Sequence, residues 1–318
     1  MVCGGRPCIM LIGVIAGSRL PSAFVTNFTQ ETNVPLTSTF GTVANGFTEG
    51  YVYWGGGRDQ SATNFYSFYS RTVASQTWTY QNAKNKIGQF QASAYPVGST
   101  NKWLKNGGEY GGALNDVESM VYGGGWSNET NYPILIHYNG MGAIINTKVA
   151  YSIAGSQPGS VAITAVYSYT GSGSWSSQTN YPTNAEHLQY KTVSLPTKVV
   201  ACGGSVVAGA HNLSAVYSYT GSGSWTLENN LPSDLSTNSY AAAYVYNPDT
   251  LKVYAITPNT TNFYYWAGGS GGWTLGGVRT GYTNSSYPKN LAAVSTSLFA
   301  LGGDYRNGLA TCYRAVVR

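Results

Sequence analysis

Few residues in this chain have the chemistry of a catalytic or metal-binding site. Among its 318 residues are three histidines, His137, His187 and His211, and only twelve acidic residues. Asp116 and Glu118 form the closest carboxylate pair in their region, and we expect both to lie in a solvated loop. So few histidines and acidic residues leave few candidates for general acid–base catalysis. We therefore expect no catalytic residue, no metal site, no cofactor and, in all, a protein that is not an enzyme.

The cysteines and glycine runs do not change this expectation. Four cysteines are too few for a disulfide framework, and their spacing is not that of a zinc site. Cys202 lies in an apolar run before Gly203 and Gly204, which predicts a buried free thiol. The glycine runs at 123–125 and 268–272 lack the Lys-Ser/Thr and the helix of a phosphate-binding loop.

The composition favours an all-β protein. Charged residues make up only 9% of the chain, against roughly 25% in an average soluble domain. The 42% hydrophobic and 14% aromatic residues are enough to build a core. Tyr, Val, Thr and Trp favour strands, and the 40 glycines, with many Asn and Ser, favour tight turns. We predict many short strands.

Charge and hydropathy also reduce the number of partner classes that we expect. The net charge of +5 is scattered, without a cluster of Lys and Arg, so we expect no nucleic-acid partner. The apolar run at 8–17 is shorter than the roughly 20 residues that span a bilayer. We therefore expect no membrane span, and an ordered strand here in preference to a cleaved signal.

The sequence repeats with a period near fifty residues. The segment 165–175 recurs unchanged at 215–225. Aromatic residues recur at spacings of 50, 48, 49, 50 and 48, at Phe28, Trp78, Trp126, Trp175, Trp225 and Trp273. So steady a period indicates a stack of similar units, each too small to bury its own apolar faces.

A second mark precedes most of these aromatic residues. It is an apolar run that ends in glycine, found at 51–56, 103–108, 151–155, 199–204 and 298–303. A glycine pair lets the chain turn where a Cβ atom would clash. Together the marks resemble the kelch repeat, in which a strand ending in Gly-Gly precedes a Tyr-containing strand and then a Trp. The resemblance covers residues 28–318, although Ser-Tyr-Thr-Gly-Ser-Gly replaces the usual Asp-Pro after the Tyr.

The resemblance implies a ring of four-stranded blades. We predict an all-β, six-bladed kelch-like β-propeller over residues 25–318, with seven blades as the alternative. The last unit lacks the strand that carries the Trp. The first unit is preceded by a strand of this type near Phe28, which has no other strands of its own blade beside it in the sequence. We expect residues 27–32 to supply the fourth strand of the last blade, which would close the ring and hide two edge strands. Residues 1–24 are then predicted to be an arm or extra strand outside the ring.

The resemblance extends to propellers of the galactose-oxidase type, which hold copper between two His and two Tyr, one Tyr being bonded to a Cys. Here His187 and His211 fall in one predicted blade, and nothing marks a Tyr–Cys pair. We therefore expect no copper.

The loops that follow the glycine pairs are the predicted ligand-binding region, because propeller loops converge at one end of the ring. These loops carry charged and aromatic residues, and the charged ones are scarce elsewhere. The predicted binding residues are Arg58, Asp59, Tyr110, Asp116, His211, Asp304, Tyr305 and Arg306.

The low charge and the abundance of hydroxyl and amide groups favour a non-enzymatic binding or structural protein. We expect it on an extracellular or virion surface, as a tail, fibre or capsid-decorating protein that serves host attachment. Its expected partners are host-surface glycans at the mouth and, through residues 1–24, other structural proteins or further copies of itself. The alternative is a secreted carbohydrate-active propeller enzyme, whose mouth would require clustered carboxylates, Arg or His.

Overall fold

Each blade of the structure is a four-stranded antiparallel sheet. The computed structural model describes residues 28–33, 35, 42–46, 50–55, 67–81, 91–110, 112–188, 191–206, 213–236, 242–257, 260, 262–269, 271–278, 290–301 and 312–317. Over these ranges there are six such sheets and one helix of four residues. Within the described part, no helix has the length and apolar character needed to cross a membrane.

The strands follow the chain from blade to blade. Blade 1 consists of β2 Thr42–Gly46, β3 Tyr51–Gly55, β4 Phe68–Thr72 and β5 Thr79–Tyr80. Blade 2 consists of β6 Ala92–Val97, β7 Lys102–Asn106, β8 Val117–Met120 and β9 Trp126–Asn128. Blade 3 consists of β10 Gly140–Ile144, β11 Val149–Gln157, β12 Val161–Tyr169 and β13 Ser176–Ser177. Blade 4 consists of β14 Thr192–Ser194, β15 Val199–Cys202, β16 Ala215–Tyr219 and β17 Thr226–Asn230. Blade 5 consists of β18 Ala243–Asn247, β19 Lys252–Ile256, β20 Asn262–Trp266 and β21 Thr274–Val278. Blade 6 consists of β22 Asn290–Val294, β23 Ser297–Leu301, β24 Cys312–Val316 and β1 Thr29–Gln30. The helix α1, Ser233–Ser236, precedes blade 5.

The first strands of the blades form the inner circle. β2 contacts β6, and contacts continue in order through β10, β14, β18 and β22, which contacts β2 again. No further blade fits between β22 and β2. The predicted six-bladed propeller is therefore confirmed, and the seven-bladed alternative is wrong.

The two ends of the chain meet in blade 6, as predicted. β1 pairs with β24 in antiparallel register, with Thr29 opposite Arg314. Phe28 is only 2% exposed and packs edge-on against Phe263, at 6.2 Å between ring centroids. Residues 1–24 lie outside the described residues, and the arm stays a prediction.

Trp175 and Trp225 occupy matching environments in blades 3 and 4. Trp175 stacks on Tyr169 at 4.9 Å with 23° between the ring planes, and Trp225 stacks on Tyr219 at 5.0 Å and 21°. Their indole N–H groups donate to backbone oxygens of the preceding blade at 2.9 and 3.0 Å. The two tryptophans therefore fill equivalent positions between neighbouring sheets, as the packing of repeated blades in a propeller requires.

A hydrogen-bonded pair recurs on the outer strands. The third residue after most of the repeated aromatic residues is Glu or Gln, and it bonds a serine on the third strand of its own blade. The pairs are Gln81 with Ser70 at 2.8 Å, Glu129 with Ser119 at 2.5 Å, Gln178 with Ser168 at 3.0 Å and Glu228 with Ser218 at 2.6 Å.

The same Glu or Gln also bonds the next blade. The hydroxyl groups of Tyr169 and Tyr219 donate to Glu129 and Gln178, at 2.7 and 3.2 Å. Where blade 6 meets blade 1, Arg71 occupies the position that corresponds to Tyr169 and Tyr219, and it forms a 2.5 Å ion pair with Glu31. Blades 6 and 1 are therefore joined by a charged version of the contact that joins blade 2 to blade 3 and blade 3 to blade 4.

Glycine pairs end the second strands because no side chain fits there. Gly203 and Gly204 have φ of 74° and 106°, in the region that glycine favours. A Cβ atom on Gly203 would lie 2.8 Å from the carbonyl oxygen of Leu213. First and second strands are antiparallel, so these turns lie at the same end of the ring as the loops that enter the first strands. We call this end the mouth.

Candidate functional site

Only two of the eight predicted binding residues fall in the described part of the chain. Tyr110 follows β7 at the mouth and is 57% exposed. Asp116 is half-buried just before β8, and its backbone oxygen accepts the N–H of Gly107 at 3.1 Å. The other six stay predictions because they lie outside the described residues: Arg58, Asp59, His211, Asp304, Tyr305 and Arg306.

Glu118 does not lie in a solvated loop, so that prediction was wrong. It lies in β8 with its side chain fully buried, and it forms an ion pair with the buried Lys105 of β7. The Lys105 ammonium lies 5.8 Å from the ring centroid of Trp126. Asp116 and Glu118 are two residues apart on an extended segment that enters the sheet. Because Glu118 is buried, its role is structural.

Three aromatic side chains are stacked where the chain enters blades 3 and 4. The Tyr138 ring lies between His137 and His187, with ring centroids 4.3 Å apart on both sides and planes 35° and 34° apart. We call this row the ring stack. His137 and Tyr138 precede β10, and His187 precedes β14. The stack therefore lies at the mouth and joins two blades.

Sequence reasoning missed the ring stack, although it left a signal. His137 follows the Tyr-Pro pair at 132–133, and His187 follows the Tyr-Pro pair at 181–182. These pairs mark the same loop in neighbouring repeats. Aligned repeats would therefore have placed both imidazoles at adjacent entries to the inner circle.

The backbone holds the ring stack in an unusual conformation. Tyr138 and His187 have φ of 56° and 59°, a region that costs a non-glycine residue on the order of 1–3 kcal/mol. The N–H of Leu188 donates to the carbonyl of Tyr138 at 2.9 Å, and His137 and Ser156 exchange two backbone hydrogen bonds at 2.8 and 2.9 Å. These bonds fix the rings before any ligand arrives.

Glu109 lies beside one end of the ring stack. Its Oε2 accepts a 3.3 Å hydrogen bond from the Tyr138 hydroxyl and lies 3.9 Å from Nδ1 of His137. Burial lowers the pKa of the His137 imidazole, and the Glu109 carboxylate raises it by a smaller amount. The His137 ring is therefore neutral at neutral pH, when one ring nitrogen donates and the other accepts hydrogen bonds.

Glu186 lies beside the other end. The buried carboxyl group accepts a 2.8 Å hydrogen bond from the Ser156 hydroxyl, and its Oε1 lies 3.5 Å from Nε2 of His187. Burial raises the pKa of Glu186, and the Ser156 hydrogen bond opposes that rise. Blades 2, 3 and 4 thus bring two carboxyl groups, two imidazoles and a phenol to one part of the mouth.

The chemistry of this arrangement is that of recognition. Both imidazole rings and Glu186 are buried, so the half-buried Tyr138 ring with its hydroxyl group, and the Glu109 carboxylate beside it, are the parts that a ligand can reach. In the described ranges, no three His, Cys, Asp or Glu side chains gather closely enough to hold a metal ion.

The comparisons with known proteins agree with the fold. No protein-family model matches the chain, and no curated protein is detectably similar in sequence. A solved structure described as "Structure of YjhT" is similar with a TM-score of 0.65 and 15% identity, over 90% of this chain and 96% of that one. At that identity the likeness establishes the fold alone. The chain is a six-bladed β-propeller, and the resemblance to the kelch repeat stays a prediction from the sequence motifs.

Proposed function

We propose that this propeller is a non-enzymatic binding protein whose mouth takes surface glycans. The ring stack of His137, Tyr138 and His187, flanked by Glu109 and Glu186, is the observation that supports this most. A sugar ring has one apolar face of C–H groups and a rim of hydroxyl groups. An aromatic face matches the first, and carboxyl and imidazole groups match the second.

We further propose that the protein acts on an extracellular or virion surface. Its 9% of charged residues and its many hydroxyl and amide side chains support this. A surface with so few charges has little long-range attraction for nucleic acid or anionic lipid, whereas tyrosine-rich surfaces suit short-range contacts with sugars and proteins.

The proposal is tested by measuring glycan binding to the whole chain. A glycan array identifies the ligands, and isothermal titration calorimetry then compares the wild type with Tyr138→Ala and His187→Ala. We expect each variant to weaken binding at least about tenfold, because each loses a contact near the centre of the site.

A matched control separates this effect from a general loss of structure. Tyr80 is an exposed tyrosine on the outer strand β5, away from the mouth, and Tyr80→Ala should bind as the wild type does. Unchanged binding in both ring-stack variants, with melting temperatures equal to that of the wild type, would contradict the proposal.

A secreted carbohydrate-active enzyme is the second candidate, and one observation favours it. Glu186 is a buried carboxyl group whose pKa is raised by that burial, next to an imidazole. A general acid needs such a carboxyl. Incubation of each bound glycan with the protein, followed by product analysis, distinguishes the two candidates. Turnover that is lost in Glu186→Gln would establish catalysis, and binding without turnover would support the first proposal.

A further inference from the structure

The wedge between blades 4 and 5 contains an unusual lysine. Lys191 directly precedes β14, and its carbonyl oxygen accepts the N–H of Cys202 at 2.9 Å. The residue is 2% exposed, and its Nζ has no hydrogen-bond partner among the described residues. We call the region around Lys191, Cys202 and Tyr244 the blade 4–5 wedge.

The opposite wall of the wedge adds a second unpaired polar group. Tyr244 of β18 is buried, and its hydroxyl has no partner within the described ranges. Lys191 lies opposite Cys202 in the register of β14 and β15, so their side chains share the sheet face that packs against Tyr244. The Tyr181 hydroxyl is a third buried group without a partner in the described ranges, and it too interacts electrostatically with Cys202. The apolar residues around them include Val193, Leu235 and Trp266.

The charge of Lys191 is uncompensated by the protein in the described part of the chain. Lys105, the other buried lysine, has the carboxylate of Glu118 beside it. At Lys191 the one charge partner is the Cys202 thiol, and burial raises the pKa of that thiol, so it stays neutral. Burial accordingly lowers the pKa of the Lys191 amine to about 7.

The hydrogen-bonding groups of the wedge select the kind of ligand. An ammonium offers donors only, and a phenol and a thiol donate to an acceptor. Water can donate to the phenol oxygen or the thiol sulfur, but it brings no charge that compensates the ammonium. A small anion accepts every bond offered and cancels the charge of the ammonium.

We propose that the blade 4–5 wedge is a binding site for a small monovalent anion of the size of chloride, held by Lys191 and Tyr244. The anion links the first strands of two blades across the wedge and so stabilises their contact. This site is independent of glycan binding at the mouth, and its failure would leave that function untouched.

The first test is thermal stability at constant ionic strength. Chloride replaces methanesulfonate, a larger monovalent anion, from micromolar to molar concentrations. We expect the Tm of the wild type to rise by about 2 °C for each tenfold rise in chloride above half-saturation. Lys191→Met should fold, since Met suits an apolar wedge, and its Tm should not respond. Tyr244→Phe should raise the half-saturating concentration about tenfold.

A matched control removes a lysine elsewhere in blade 5. Lys252 lies over the Tyr265 ring at 4.8 Å, outside the wedge, and Lys252→Met should keep the full chloride response. A response that is absent in the wild type, or one that persists in Lys191→Met, would overturn the proposal.

The second test locates the anion directly. Crystals grown in sodium bromide should show an anomalous difference peak within hydrogen-bonding distance of Lys191 Nζ and the Tyr244 hydroxyl. A wedge without a peak in the wild type would refute the site, and a peak that persists in Lys191→Met crystals would be an adventitious ion only.

Discussion

The outer strands and the mouth of this propeller follow different rules. On the outer strands, the same contacts recur from blade to blade: an indole N–H donates across the wedge, and a Glu or Gln bonds its own serine and the next blade's tyrosine. At the mouth, the ring stack occupies the entries to blades 3 and 4 with residues that differ in kind and backbone conformation.

The difference separates the positions that build the ring from those available for function. A contact that recurs in several wedges serves what those wedges share, which is the burial of sheet faces. The ring stack occurs once and carries backbone strain, so the packing that the wedges share does not require it. Mutations in the two regions should therefore affect stability and binding in opposite proportions.

The strongest test compares the two buried lysines. Glu118→Gln leaves Lys105 as a buried charge without a carboxylate, and we expect the free energy of unfolding to fall by about 3–5 kcal/mol. Lys191→Met removes a buried charge that has no partner, and it should leave the protein as stable or more so in chloride-free buffer. Urea denaturation measures both, and equal losses would show that pairing is irrelevant to buried lysines here.

The next effect concerns the closure of the ring. Glu31→Gln weakens the partner of the buried Arg71 guanidinium, with an expected loss of about 3 kcal/mol. The matched variant is Glu129→Gln, at the same repeat position in blade 2, where Lys102 is 24% exposed and can be hydrated. We expect a loss of only about 1 kcal/mol there. A larger loss for Glu129→Gln would mean that the closure is not the critical contact.

The pH dependence of stability tests Lys191. Its pKa is about 7 in the folded protein and near 10.4 in an unfolded chain. Between these values the unfolded state binds more protons, so the free energy of unfolding should rise with pH by about 1.4 kcal/mol per unit. Burial raises the pKa of Cys202 and of Tyr244, so both stay protonated up to pH 9. In chloride-free buffer, the difference between wild type and Lys191→Met should show this slope from pH 7 to 9, and a flat difference would refute the assignment.

A smaller effect tests the equivalence of the repeats. Trp175→Phe and Trp225→Phe each remove one indole hydrogen bond to the preceding blade, with an expected loss of about 1 kcal/mol apiece. The two losses should agree within about 0.5 kcal/mol because the two environments match. A clear inequality in urea denaturation would break the rule that outer contacts are interchangeable.

The smallest expected change in stability lies at the mouth. Tyr138→Gly removes a ring from the stack and also relieves the left-handed backbone of a non-glycine residue. These terms oppose each other, so the free energy of unfolding should change by less than about 1 kcal/mol. Calorimetric unfolding provides the measurement. A loss of several kcal/mol would make the ring stack part of the framework.

The repeat made the fold predictable from sequence. The period of the aromatic residues fixed the number of blades, and the orphan Phe28 strand predicted how the ring closes. Local patterns suffice here because several wedges use similar residues at the same offsets. Glu118 was misplaced because a carboxylate beside Asp116 and Asn115 suggested a loop, whereas its burial depends on Lys105 of the neighbouring strand.

The site was much less predictable. Tyr110 stays a predicted binding residue, and the stacking of His137, Tyr138 and His187 depends on two loops that meet only when blades 3 and 4 pack together. The unpaired amine of Lys191 likewise results from the wall that blade 5 adds. These two contacts involve residues that do not recur at the repeat positions, so the period of the sequence could not predict them.

The pairing of β1 with β24 makes the first and last described strands of the chain mutually dependent. During synthesis, β1 leaves the ribosome long before its partner exists, and blades 1 to 5 form while the circle is still open. A cut that released β1 would leave β24 as an unpaired edge and would remove the contacts that Phe28 and Glu31 make with the neighbouring blades, while β22 would still contact β2. The stability of blade 6 therefore depends on two segments that lie far apart in the sequence.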